Sequence, residues 1–346
     1  MYHTYLTILL PSILSFISTI IATRFFKGYF LESGIALEDH NKEKVKLLPS
    51  GMGIPYSLGI LVGILAYVAG GSFIYKPVLE INDLFAASLS MLIIAVVGFI
   101  DDVNIRNAGK GLKDNLGRPK KGLKQWQKPL LTALGALPLM AINAGTGIVH
   151  VPFLGNFNLG LLYPLIIIPL GTIFFSNAIN LLGGFDGLQT IPTSIACLGF
   201  LIYSLIYGNY YTLFLSGVVL AGTVGIMIFN IYPAKVIPGD SFTYAIGASF
   251  VSIMVLGNAE AIGIIFLFPW IIEFFLHLRK KFDVSDLGIR QADGTFKSPY
   301  GKKIYSLTHL VMNLKKANEK EITLYISLIE LLFLVLGFSF KLTGIL

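Results

Sequence analysis

Apolar residues along this chain come in continuous runs rather than in alternation with polar ones. Ten runs approach the roughly 20 residues that a helix needs to cross a bilayer. They lie at about 5–26, 52–74, 84–100, 129–147, 159–176, 188–207, 211–232, 242–257, 260–278 and 322–340. The fourth, with Pro138 and several glycines, and the eighth, which is short, are the weakest. Continuous runs exclude a transmembrane barrel, whose strands alternate, and leave helices as the spanning form. The pattern predicts an all-α polytopic integral membrane protein of about ten transmembrane helices, with residues 1–346 forming a single membrane domain.

Charge orients this array. Of the 26 Lys and Arg, five fall between 24 and 46, eight between 106 and 128, one at Lys235 and ten between 279 and 320. Only Lys76 and Lys341 fall on the other face. The positive-inside rule then puts the loops at about 27–50, 101–128, 177–188, 233–241 and 279–320 in the cytoplasm and both termini outside. The opposite loops are short and almost uncharged. A chain that is 55% hydrophobic and 13% charged, with mean hydropathy +0.75, is not a soluble protein. Its net charge of +7 therefore reads as membrane orientation, and no nucleic-acid partner is expected. The N-terminus is apolar at once, with no basic region before it, and reads as a retained span. One cysteine, Cys197, excludes a disulfide framework and a Cys-based metal site. Gly59, Gly63, Gly70 and Gly71 allow close helix packing, within the monomer or across a homodimer.

The polar residues that carry chemistry gather on the basic face. In Ser176 to Leu188, SNAINLLGGFDGL, Asn177 and Asn180 share a helix face. Gly183 and Gly184 let the chain leave the helix, and Asp186 follows. Polar groups at the end of a span are functional candidates, with a capped helix end as the plain alternative. Asp101 and Asp102 end the third run in GFIDDVN. A helix C-terminus favours cations, so adjacent carboxylates there suit a divalent ion or acid–base work. Lys128 begins the fourth run and can meet a phosphate as a point charge, whereas Lys110 to Lys124 suit anionic headgroups. Asp240 opens the eighth run after Gly239, as an N-cap or as a hard oxygen ligand at the depth of Asn180. In loop 27–50, Glu38, Asp39 and His40 precede Ser50. His40 has no His or Cys at ligand spacing, which argues against zinc there. In the last loop, Arg279 or Arg290 can clamp a diphosphate bidentately. Together these groups suggest metal-assisted phosphoryl transfer with one substrate in the membrane.

GFIDDVN, NAINLLGGFDGL and YPAKVIPGDSFTY, in that order, resemble the polyprenyl-phosphate N-acetylhexosamine-1-phosphate transferases. EDHNK with LLPS, KQWQKPLL and ADGTFKSPYGKK resemble the eukaryotic and archaeal branch. The likeness covers nearly the whole chain. It implies transfer of GlcNAc-1-phosphate from UDP-GlcNAc to a polyprenyl phosphate of the dolichyl type, with Mg2+, or Mn2+ in its place. It implies metal ligands Asn180 and Asp240, catalytic groups Asp101, Asp102 and Lys128, and substrate contacts from Glu38, Asp39, His40, Ser50, Asn177, Asp186, Arg279 and Arg290. It also implies a place in the cell membrane or, in a eukaryote, the endoplasmic reticulum. Two features depart from that branch. Ser50 stands where it has Glu, and KKFDVSDLGIR replaces a dense Arg and His run. The basic insert from Asn107 to Leu123 has no counterpart. Alternatives are another UDP-N-acetylhexosamine donor, for surface polysaccharide or peptidoglycan precursors, and a transporter or lipid-binding protein built on Glu273 and Glu330. The peptidoglycan branch has a His-rich motif in the last loop, where this chain has His309 alone.

Overall fold

The structure is a computed structural model that describes residues 2–104, 123–151 and 155–346. The basic insert that begins at Asn107 falls outside them, except for Leu123. Among the described residues, seven helices are long and apolar enough to cross a membrane, or eight with one bent pair counted as a span. They include α1 (Tyr2–Glu32), α2 (Gly53–Phe73), α3 (Ile81–Asn104), α8 (Tyr210–Asn230), α9 (Gly239–Gly257) and α13 (Glu319–Leu342). The seventh is formed by α6 (Ile168–Leu181) with the wider turn at Tyr163–Ile167 ahead of it. The sixth run forms a shorter apolar helix, α7 (Ile191–Tyr207).

Two of the expected runs fold differently. The fourth is broken into α4 (Gln127–Thr132), a tight turn and α5 (Leu137–Ala141). The ninth is α10 (Glu260–Phe266) and α11 (Phe268–Leu278), bent by 62°. Pro269 lies in the first turn of α11. It lacks an N–H for the helical ladder, which is the usual cause of such a break. Among the described residues the loops hold three small antiparallel hairpins, β1 (Ala36–Asp39) with β2 (Lys46–Pro49), β3 (Ile148–Val151) with β4 (Gly155–Asn158), and β5 (Ile289–Arg290) with β6 (Phe296–Lys297), and the short helix α12 (Leu307–Leu314).

Small and polar residues face inward, as they do where lipid replaces water outside. On α1, Ser15, Thr19 and Thr23 are fully buried, while Ile17, Ile21 and Phe25 are exposed. A Cβ on Gly59 would come within 1.8 Å of Thr19 Oγ1, and one on Gly63 within 2.8 Å of the Pro11 carbonyl oxygen. Gly70 and Gly71 lie against Tyr75 and Pro77. These glycines thus serve packing within the chain.

The centre is α9. Added Cβ atoms on Gly53 of α2, Gly98 of α3 and Gly247 of α9 itself would lie 2.1 Å from the Ser241 carbonyl carbon, 2.5 Å from the Asp240 carbonyl oxygen and 2.5 Å from Ser176 Cα. Three helices therefore touch α9 backbone to backbone, α2 and α3 at the end that carries Asp240 and α6 near its middle. Two loop bonds close the same end: Met52 N–H to the Pro238 carbonyl at 2.9 Å, and Ile237 N–H to the Pro49 carbonyl at 2.9 Å.

Candidate active site

The two neighbouring carboxylates at the end of α3 are built into different structures. Asp102 is buried, and its Oδ1 and Oδ2 accept the backbone N–H groups of Asp240 and Ser241 at 2.9 and 3.0 Å. It caps the N-terminus of α9 from another helix, where the unpaired N–H groups and the dipole favour an anion. The Ser50 hydroxyl adds a 3.4 Å bond to the same Oδ1. Gly239 fits beneath it with φ +79°, and a Cβ there would come within 2.5 Å of Asp102 Oδ1. The expected N-cap role of Asp240 is therefore taken by Asp102, and Asp240 lies in the first turn of α9 without a capping bond.

Asp240 and Asp101 instead flank Lys128. The ammonium is 2.7 Å from Asp101 Oδ2 and 3.1 Å from Asp240 Oδ2. Burial opposes its charge, and Asp240 and Asp101 overcome that, holding the Lys128 pKa well above the usual lysine range. Asp101 also accepts the Leu123 N–H. Asn180 Oδ1 accepts the Thr243 hydroxyl at 2.7 Å, one turn along α9 from Asp240. Asn177 donates to Thr132 Oγ1 at 3.0 Å and to the Ile173 carbonyl at 2.8 Å. It fastens α4 to α6 rather than facing the cavity.

A cavity of about 590 Å³ opens beside this cluster. Glu38, Asp39, His40, Asp186 and Asp240 line it, with Gln189, Asn230 and Leu287 among residues not singled out from sequence. Arg279 and Arg290 do not line it. The Arg279 guanidinium donates to the Ile304 carbonyl at 3.1 Å and lies over the Tyr305 ring, and Arg290 is exposed on β5.

A second, half-buried lysine holds the other wall. Lys42 Nζ is 2.8 Å from Asp186 Oδ2 and 3.2 Å from Asp39 Oδ2, and it also bonds Glu319 Oε2. Glu319 Oε1 accepts the Asp186 N–H at 2.9 Å, and Asp186 Oδ2 accepts the Ala234 N–H at 2.8 Å. Burial opposes the Lys42 charge, but the bonds from Asp186 and Glu319 raise its pKa above the usual range. Among the described residues no hydrogen bond reaches Asp186 Oδ1. Asp186 is thus gripped on one oxygen and along its backbone, which aims the carboxylate. Glu319 escaped the sequence reading because an acid in the first turn of a span reads as ordinary dipole compensation. Its neighbours Asn318 and Glu321 do form such a start, a reciprocal capping box.

The family model described as Glycosyl transferase family 4 matches residues 84–258. A Sulfolobus acidocaldarius protein named "Putative UDP-N-acetylglucosamine--dolichyl-phosphate N-acetylglucosaminephosphotransferase" is 30% identical over 338 residues, 97% of each chain. The chain belongs to glycosyl transferase family 4. A Saccharolobus solfataricus protein of the same name is 30% identical over 348 residues, 98% of each chain. A Streptococcus mutans phospho-N-acetylmuramoyl-pentapeptide-transferase is 29% identical over 274 residues, covering 75% of this chain and 77% of that one. The stretch matched by the family model carries Asp101, Lys128, Asn180, Asp186 and Asp240. The Lys42 and Glu319 ends of the second network lie outside it.

Proposed function

We propose that this glycosyl transferase family 4 member moves GlcNAc-1-phosphate from UDP-GlcNAc to a polyprenyl phosphate of the dolichyl type, releasing UMP. The observation that carries this reading is the Asp101–Lys128–Asp240 cluster beside a cavity lined by Asp39 and Asp186. Two nearly full-length relatives carrying that activity in their names support it. In the reaction, a phosphate oxygen of the lipid attacks the sugar-bearing phosphorus, and the bond from that phosphorus to the oxygen of UMP breaks.

The chain's own residues bind and neutralise. Lys128 meets phosphate oxygens as a fixed charge, and Asp101 holds Lys128 in place. Asp102 fixes the N-terminus of α9 and so the position of Asp240. Asp186 and Asp39 take the nucleoside end of the cavity. Asp240 and Asn180 offer hard oxygen donors joined through Thr243, a set that suits magnesium. When bound, magnesium would neutralise charge on the diphosphate. The basic loops support a cytoplasmic orientation for this face, in an array of about ten spans.

Mass spectrometry of the lipid fraction tests the product. Purified protein given UDP-GlcNAc and a dolichyl phosphate should yield dolichyl-diphospho-GlcNAc. A lipid carrying a sugar through a single phosphate would replace this reading with sugar transfer.

A further inference from the structure

Glu273 and His277 stand four apart on one face of α11, and Asp286 returns to them from the loop that follows. His277 Nε2 lies 2.9 Å from Glu273 Oε1 and 3.1 Å from Asp286 Oδ1. One ligand atom from each residue falls within 4.8 Å of the other two. Glu273 is 0% and His277 3% exposed. A single imidazole N–H cannot satisfy both carboxylate oxygens. With both acids ionised, an imidazolium between the two carboxylates leaves a net negative charge in a site largely shut off from water. Among the described residues no Lys or Arg reaches either acid. Uncompensated buried charge is costly. A divalent ion on a neutral imidazole and two carboxylates leaves none.

Outer bonds hold the groups in place, as they do around metal ligands. Glu273 Oε2 accepts the Leu307 N–H at 2.7 Å, and the Asp286 carbonyl accepts the Thr308 hydroxyl at 3.0 Å. One nitrogen with two oxygens suits zinc or a similar transition ion better than magnesium.

We propose that Glu273, His277 and Asp286 bind a divalent transition-metal ion, apart from the Asp240 cluster, and that this ion ties the last loop to α11. The loop matters because Leu287, next to Asp286, lines the cavity and packs on Gly184. Occupancy thus sets one wall of the cavity.

The test uses the full chain in detergent, stripped with chelator, loaded with zinc, desalted and assayed for metal by plasma mass spectrometry. The expected result is about one zinc per chain, the stoichiometry of a single three-residue site. Zinc should fall to background in His277→Ala and Asp286→Asn and persist in Asp240→Asn. Zinc should also raise the melting temperature of the wild type and leave that of Asp286→Asn unchanged. The second variant keeps the question open to refutation where loss of the buried imidazole unfolds the chain. A wild type that retains no zinc overturns the proposal, as does equal zinc in wild type and Asp286→Asn.

Discussion

Asp101 and Asp102 are adjacent in sequence and work on different partners. Asp102 has both oxygens on backbone N–H groups of α9, whereas Asp101 faces Lys128. Sequence could place a carboxylate pair at the end of a span, but it could not divide the labour, because that depends on which helix end lies opposite. Asp240→Asn removes a charge from the Lys128 cluster without removing bulk. It should cut turnover by about 10²-fold or more, the range for losing a preorganised electrostatic group, while the melting temperature stays near that of the wild type. Wild-type turnover in this variant would remove Asp240 from the site. Glu319→Gln keeps an acceptor for the Asp186 N–H but loses the charge facing Lys42. Its KM for the nucleotide sugar should rise about tenfold, the worth of one charge-assisted hydrogen bond. Its KM for the lipid phosphate should stay unchanged. An equal rise for both substrates would mean that Glu319 supports only the fold.

At the scale of elements, the continuous apolar runs predicted α1, α2, α3, α8 and α13 closely, because length and hydropathy alone define such helices. The runs at 129–147 and 260–278 did not become straight spans. Pro138 lies in α5 and Pro269 in the first turn of α11, and each interrupts the ladder. The central place of α9 was not legible, since its burial arises from close contacts at glycines on α2, α3 and α9 itself, which pair residues far apart in the chain. Those contacts predict opposite outcomes for two like substitutions. Gly53→Ala meets the Ser241 backbone at 2.1 Å and should cost about 1–3 kcal/mol. Gly171→Ala, with nothing within 4 Å, should be neutral or stabilising by up to about 1 kcal/mol. Thermal melts of the two proteins in one detergent check this, and equal melting temperatures would contradict the packing described.

Across the whole molecule, two charged networks flank one cavity. The Lys128 side joins α3, α4 and α9. The Lys42 side joins the first loop, the loop after α6 and the start of α13. Sequence motifs exposed the first side and half of the second, through Asp39 and Asp186. Lys42 sat in a mixed-charge loop, and its partner Glu319 lies 277 residues away, beyond the reach of any local pattern. The reaction we propose for this arrangement is metal-assisted transfer from a UDP-sugar to a lipid phosphate. The most direct test is UMP release from UDP-GlcNAc by the purified chain, with polyprenyl phosphate and magnesium each present or withheld. UMP should appear only when donor, lipid phosphate and magnesium are together. UMP at the same rate without the lipid phosphate, or none from folded protein with all three, would contradict it.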